Sequence, residues 1–150
     1  MPQSLARVIT HIIFSTKNRE PMIPAGLRSE LNAYLGGVLR EFDSRPIQID
    51  NMPDHVHILC CLSRKFALSK VIEEVKKASS KWMKTKSPRL RGFYWQGGYG
   101  ASSVSQSNVK VVRKYIADQE QHHRKMTFQD ELRAFLKKHR IEYDERYVWD

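Results

Sequence analysis

What most constrains the fold of this chain is the order in which two hydrophobic periods alternate along it. Residues 5–15 are rich in Val, Ile and Thr. In an extended backbone, Val8, Thr10, Ile12 and Phe14 fall on one face and Ile9, His11, Ile13 and Ser15 on the other. A polar turn, Lys17-Asn18-Arg19-Glu20-Pro21, ends that strand. Leu27, Leu31, Leu35, Val38, Leu39 and Phe42 then recur at helical spacing. Gly36-Gly37 within this helix predicts either a weak point or a close approach to a neighbour. Pro46 to Asp50 reads as a short strand, Met52-Pro53-Asp54 as a turn, and residues 55–62 as the returning strand of a hairpin. A second helix over 68–85 buries Leu68, Val71, Ile72, Val75, Ser79 and Trp82. A basic loop over residues 86–91 follows, then a strand running to about Val104. The order β-α-β-β-α-β predicts an α+β fold of the ferredoxin-like, RRM-like split βαβ kind. Its antiparallel sheet has helices on one face and an open platform on the other. A tyrosine-bearing helix follows, with Asn108 as its N-cap. The last helix spans Thr127 to Lys138, started by a capping-box-like Thr127 and Asp130. The aromatic tail, residues 141–150, is expected to dock.

The chain has 150 residues, 41% of them hydrophobic, which suits one domain with its own core. No apolar run approaches the length of a membrane span, and the first residues carry no signal-peptide pattern. The two cysteines, Cys60 and Cys61, are adjacent and face opposite ways on a strand. They read as free thiols of a cytoplasmic protein rather than a disulfide framework. Twenty-six Lys and Arg against 16 Asp and Glu leave a net charge of +10. An excess of that size favours a polyanionic partner, because each neutralised phosphate releases counterions.

Two short segments carry the chemistry. In His55-Val56-His57 the imidazoles are two residues apart on a strand, so both leave the same face and can share a metal ion. Sixty residues on, Tyr115 and Gln119 stand four apart on the predicted helix. With about 100° per residue and Tyr115 at zero, Gln119 lies at about 40° and His122 at about −20°. Val109, Val112 and Ile116 fall beside them on the buried stripe. Two histidines alone are an incomplete site, and Gln119 offers an amide oxygen as a third donor. Such a neutral set suits Mg²⁺ or Mn²⁺ that also binds phosphate oxygens. Taken one at a time, a strand histidine pair or a helical tyrosine is far more often an ordinary packing feature than a site.

Taken together, and in this order, these motifs resemble those of the HUH single-tyrosine transposases, the insertion-sequence-200-like group, and of the related repeat-associated tyrosine transposases. His55-Val56-His57 matches the histidine–bulky apolar–histidine motif, and Tyr115-Ile116-Ala117-Asp118-Gln119 matches the helical tyrosine motif. The opening His11 to Arg19, Trp95-Gln96-Gly97-Gly98-Tyr99 and Gln121-His122-His123 extend the resemblance over essentially the whole chain. The resemblance implies a DNA transposase acting on single-stranded DNA at hairpin-flanked sites. His55, His57 and Gln119 would hold a divalent ion, Mg²⁺ or Mn²⁺. Tyr115 would attack the scissile phosphate, leaving a 5′-phosphotyrosine link and a free 3′-hydroxyl, with no nucleotide cofactor. It also implies a homodimer in which the tyrosine helix of one subunit can complete the site of the other. The helical wheel adds His122 as a proton relay. Lys17, Arg19, Lys77, Lys81, Lys84, Arg89 and Arg91 are candidate DNA-backbone contacts, and Trp95 and Tyr99 could stack on unpaired bases.

Three other readings stay open on the sequence. A replication initiator or relaxase uses the same histidine pair and tyrosine. A domesticated descendant would bind DNA without cleaving it. A zinc hydrolase would need a further donor, which His122-His123 could supply.

Overall fold

The computed structural model describes residues 2–150. Four strands, β1 (Val8–Ser15), β2 (Arg45–Met52), β3 (His55–Leu62) and β4 (Gly100–Ser103), form one antiparallel sheet in the order β2-β3-β1-β4. Helices α1 (Arg28–Glu41) and α2 (Leu68–Lys84) connect them in the split βαβ manner. Three helices follow the last strand: α3 (Val109–Ala117), the single turn α4 (Gln119–His122) and α5 (Phe128–Lys138). None of the described helices is long and apolar enough to cross a membrane.

Strand alternation builds two cores. Ile12 and Phe14 of β1 and Val56, Ile58 and Cys60 of β3 face α1 and α2, where they meet Leu31, Leu35, Leu39, Val71, Ile72 and Val75. Gly36 faces β2, where a Cβ would meet Pro46 at 3.6 Å and Ile49 at 3.7 Å in ordinary contact, while Gly37 faces open space; α1 runs through the pair without a break. The opposite sheet face is not the open platform expected from the sequence. Ile9 and Leu59 pack against Ile116 of α3, while Ile13 packs against Phe128, Leu132 and Leu136 of α5. A strand whose two faces are both apolar needs cover on both, and seven of the eight residues of β1 are buried. The two cysteines divide as the alternation predicts: Cys60 is buried in the first core and Cys61 half-buried beside the second, both as free thiols.

The segment before β4 ties the C-terminal tail to the sheet. Gln96 accepts from the Ser15 amide at 2.8 Å and donates to the Asp150 carbonyl at 3.1 Å, and the Gly98 amide donates to the same carbonyl at 2.8 Å. The Lys76 ammonium caps this loop from α2, donating to the carbonyls of Gln96 (2.9 Å) and Gly98 (2.6 Å). Burial pushes its pKa down to about 8. The tail is therefore docked, as its composition predicts. Gly100 opens β4, where a Cβ would lie 3.1 Å from both Ile13 and Leu132; the absence of a side chain lets α5 come down onto the sheet.

Candidate active site

Position on β3 decides where the two histidines point. His55 pairs with Ser15 and His57 with Ile13 across the β1 ladder, so both rings leave the sheet on the α5 side. Neither is solvent-accessible. Each has its Nδ1 engaged behind the site: that of His55 lies 2.7 Å from Asp54 Oδ1, and that of His57 lies 2.9 Å from His11 Nε2. Both Nε2 atoms are thereby turned to a common centre.

Three helices supply the rest of that centre. The tyrosine helix is not continuous to His122 as the wheel assumes. It ends at Ala117, Asp118 leaves helical geometry (φ −94°, ψ 20°), and Gln119 begins α4. Asn108 occupies the N-cap position of α3 but makes no side-chain cap there. The bend turns Gln119 fully inward. Its Oε1 lies 3.3 Å from His55 Nε2 and 3.1 Å from His123 Nε2. From α5 comes Glu131. Its Oε1 is 2.9 Å from His57 Nε2, 3.0 Å from His123 Nε2 and 3.3 Å from His55 Nε2. Its Oε2 accepts from the Gln119 amide at 3.2 Å and from the Tyr115 hydroxyl. Thr127 caps α5 as the sequence predicts, its side chain accepting from the Asp130 amide at 3.2 Å, and this fixes the helix end that carries Glu131.

The donor atoms of His55, His57, His123 and Glu131 all lie within 4.8 Å of one another, with the Gln119 oxygen among them. Three imidazole nitrogens and one carboxylate, nearly all out of solvent and with their outer nitrogens partly pinned, are a donor set that could hold a divalent metal ion. Glu131 and His123 enlarge the set of His55, His57 and Gln119. In the sequence His123 belongs to the Gln121-His122-His123 motif and to a possible zinc set, and Glu131 is not among the candidates. A signal for it existed: Phe128, Glu131, Leu132, Phe135 and Leu136 follow the i, i+3, i+4 pattern, which puts a carboxylate inside the buried stripe of α5.

The electrostatics follow from these contacts. Burial works against charge on His55, but the hydrogen bonds to Asp54 and Glu131 outweigh it and raise its pKa to about 9. His57 is lowered by burial. His11 falls to about 3 through burial and the neighbouring His57. Burial opposes ionisation of Glu131, yet hydrogen bonds from His123, His55 and His57 hold its carboxyl far below the usual range. Burial and the adjacent Glu131 charge push the Tyr115 hydroxyl above its ordinary value. In this state the tyrosine is therefore held protonated.

The remaining sequence candidates are placed as follows. The His122 ring stacks on that of Tyr115, centroids 4.4 Å apart, and its buried Nε2 has no hydrogen-bond partner. Lys77, Lys81 and Lys84 are on α2, Arg89 and Arg91 in the loop after it, and Lys17 and Arg19 in the turn after β1. Since α2 covers the other sheet face, its lysines stand away from the Tyr115 cluster. Lys84 lies over the Tyr94 ring at 3.9 Å, and Arg19 over Trp149 at 5.6 Å. Trp95 is taken up by the core, donating to Ser79 Oγ at 2.9 Å, while Tyr99 is exposed.

A four-stranded antiparallel sheet with a helical tyrosine beside a strand histidine pair is the frame of a known group of DNA-processing enzymes. The chain belongs to the family described as "Transposase IS200 like", whose model matches residues 4–119. It is 26% identical over 114 residues to the ISDra2 transposase TnpA of Deinococcus radiodurans, spanning 73% of this chain and 81% of that one. Two solved structures share its fold. A Deinococcus radiodurans R1 protein, provisionally assigned as a transposase, superposes with a TM-score of 0.61 at 22% identity, covering 79% of this chain and 98% of that one. A REP-associated tyrosine transposase bound to a REP hairpin superposes with a TM-score of 0.61 at 15% identity, covering 82% and 73%. Family membership makes the chain an enzyme of the DNA-transposase class; both His123 and Glu131 lie beyond the matched segment.

Proposed function

We propose that the chain is a metal-dependent transposase that cuts and rejoins single-stranded DNA through Tyr115. The observation that carries this reading is the hydrogen-bonded line from the Tyr115 hydroxyl through Glu131 to His57, His123 and His55. It supports the reading because a tyrosine hydroxyl and side chains able to hold a metal ion lie within one small site. Tyr115 Oη forms a bond to phosphorus as the bond from phosphorus to the DNA 3′-oxygen breaks. The tyrosine proton leaves along the hydrogen bond to Glu131, and a proton returns to the departing 3′-oxygen. The product is a 5′-phosphotyrosine link and a free 3′-hydroxyl. The linkage keeps the energy of the broken bond, so rejoining needs no nucleotide cofactor.

His55, His57 and Gln119 would hold the divalent ion, with His123 and Glu131 available to the same centre. Bound there, the ion would polarise the scissile phosphate and offset the charge that builds on its oxygens. Of Mg²⁺ and Mn²⁺, the nitrogen-rich donor set favours Mn²⁺. With their Nε2 atoms given to an ion, His55 donates from Nδ1 to Asp54 and His57 from Nδ1 to His11. His122, stacked on the nucleophile's ring, supports its position, and its relay role would be to return a proton to the departing 3′-oxygen, since the tyrosine hydroxyl donates to Glu131. Hairpin DNA is the proposed partner, supported by the structural neighbour bound to a REP hairpin. Lys17, Arg19, Lys77, Lys81, Lys84, Arg89 and Arg91 would hold the hairpin's backbone.

The test is a covalent-adduct assay. Labelled single-stranded hairpin DNA from the flanks of the gene is mixed with protein and Mn²⁺ or Mg²⁺ and run on a denaturing gel. The wild type gives a metal-dependent shifted band, while Tyr115→Phe and His57→Ala give none. Binding without an adduct on several such hairpins would instead make the chain a non-catalytic DNA-binding descendant. Unchanged cleavage by His122→Ala across pH would remove His122 from the proton path.

A further inference from the structure

Two cavities meet at Tyr115. The first, about 500 Å³, lies between α3 and α5 over β4; His11, Val112, Tyr115, Ala134, Phe135 and His139 are among the residues that line it. The second, about 580 Å³, is lined by Tyr115, Gln121, His122, Arg124, Lys125 and Met126. Tyr115 and Met126 line both. The two differ in chemistry. The first is walled mostly by aliphatic and aromatic side chains, with Ser103, Ser105 and Asn108 as neutral polar groups and with His57, Glu131 and Lys138 also in its lining. Phe135 stands edge-on to His11, centroids 5.2 Å apart, and tilted to His139 at 4.7 Å. The second carries two exposed cations and no carboxylate in its wall.

We propose that the first cavity takes one unstacked base of single-stranded DNA and the second takes the adjoining phosphate backbone, with Tyr115 standing at their junction. This rests on the reading of the chain as a single-strand transposase and names how that substrate is seated. A nucleotide is half a flat ring, apolar on its faces and polar at its edges, and half an anion. Aromatic and aliphatic walls with a few hydrogen-bonding groups suit the first half, and Arg124 with Lys125 suit the second. The volume of the first falls in the range of roughly 300–1,000 Å³ typical of small-ligand sites. A base still paired in a duplex could not enter it, so the pocket selects for single strands. The family match ends at residue 119, whereas Arg124, Lys125, Met126, Ala134, Phe135 and His139 all lie beyond it. The base accepted next to the cut would therefore be set jointly by these C-terminal residues and by His11, Asn108 and Val112 of the part shared with the family.

The probes are a thymidine octamer, the same octamer with every base removed, and a thymidine octamer carrying one 5-iodouracil. Ala134 is exposed on the cavity wall, so a larger side chain there fills the cleft without entering the core. Wild-type protein is expected to bind the thymidine octamer about tenfold more tightly than the abasic one. Ala134→Phe removes that preference and leaves abasic binding unchanged. Arg124→Ala with Lys125→Ala weakens binding of both octamers alike. Photocross-linking of the iodouracil octamer to wild-type protein, which needs no variant, marks Met126, Phe135 or His139. An Ala134→Phe protein that keeps the full preference, or cross-links confined to other surfaces, overturns the proposal. If the Tyr115 adduct forms while Ala134→Phe keeps its preference, the pocket is wrong and the transposase reading stands. Base-selective binding lost in Ala134→Phe, with no adduct from any hairpin, means the reverse.

Discussion

His57 serves an ion only if its Nε2 faces the centre, and what holds its other nitrogen decides that. The holder is His11, on the neighbouring strand and 6% exposed, whose Nε2 lies 2.9 Å from His57 Nδ1. Burial and the adjacent His57 bring its pKa to about 3, so at neutral pH it is uncharged and can accept a hydrogen bond there. In the sequence His11 is only one residue on a strand face and the opening of a shared motif; its role needs the β1–β3 register, which no local pattern prints. His11→Phe keeps a ring beside Phe135 and removes the acceptor. Its Mn²⁺ affinity is expected to fall by about 10–100-fold, the usual cost of losing a partner behind a metal ligand. Calorimetric titration with Mn²⁺ measures this, with circular dichroism to show that the fold is kept. Unchanged affinity would mean that packing alone orients His57.

Elements with their own periodicity were legible, and those shaped by the site were not. Residues 55–62 and the helix over 68–85 are found where the sequence predicts them, because the first is an apolar run of strand length entered by a turn and the second buries one well-defined face. The break at Asp118 has no Gly or Pro to announce it. It follows from Gln119 being drawn inward to His55, a tertiary contact between residues over sixty positions apart. The covered second sheet face is similar: Ile9, Ile13 and Leu59 asked for a partner, but which helices would supply it depends on the chain returning after β4. Element α5 matters most for the site, because Glu131 stands in its first turn. Thr127 satisfies the Asp130 amide that the helix start leaves free. Thr127→Ala is expected to cost about 1 kcal/mol. The loss falls on the turn that carries Glu131, so thermal unfolding should drop by a few degrees in the metal-free protein. A stability equal to the wild type, measured by calorimetry, would show that the docking of Phe128 and Leu132 holds this end without the cap.

At the scale of the molecule, the question is whether one chain suffices. The family resemblance implies a homodimer with exchanged tyrosine helices, and the net charge of +10 suits two copies on a long anion equally well. Yet within this one chain the Tyr115 ring stands 6.0 Å from that of His57, and its hydroxyl donates to a carboxylate that His57 also reaches. α3 gets there by packing Ile116 against Ile9 and Leu59, so the short connection after β4 already brings Tyr115 to the histidines of its own chain. We therefore propose cleavage in cis, whether or not two chains associate. Mixing decides it. Tyr115→Phe carries intact histidines without a nucleophile, and His57→Ala carries a nucleophile without a complete metal set. Neither forms an adduct alone. If sites are shared between subunits, a mixture restores one composite site per heterodimer, and adduct returns to a sizeable fraction of the wild-type yield. If each chain works on its own histidines, the mixture stays at background at every ratio. Background is the outcome expected here, with light scattering on the same mixture reporting whether a dimer was present to be tested. Recovered adduct would instead mean that α3 leaves its own sheet when DNA or a second chain arrives, giving up the contacts of Ile116 to do so.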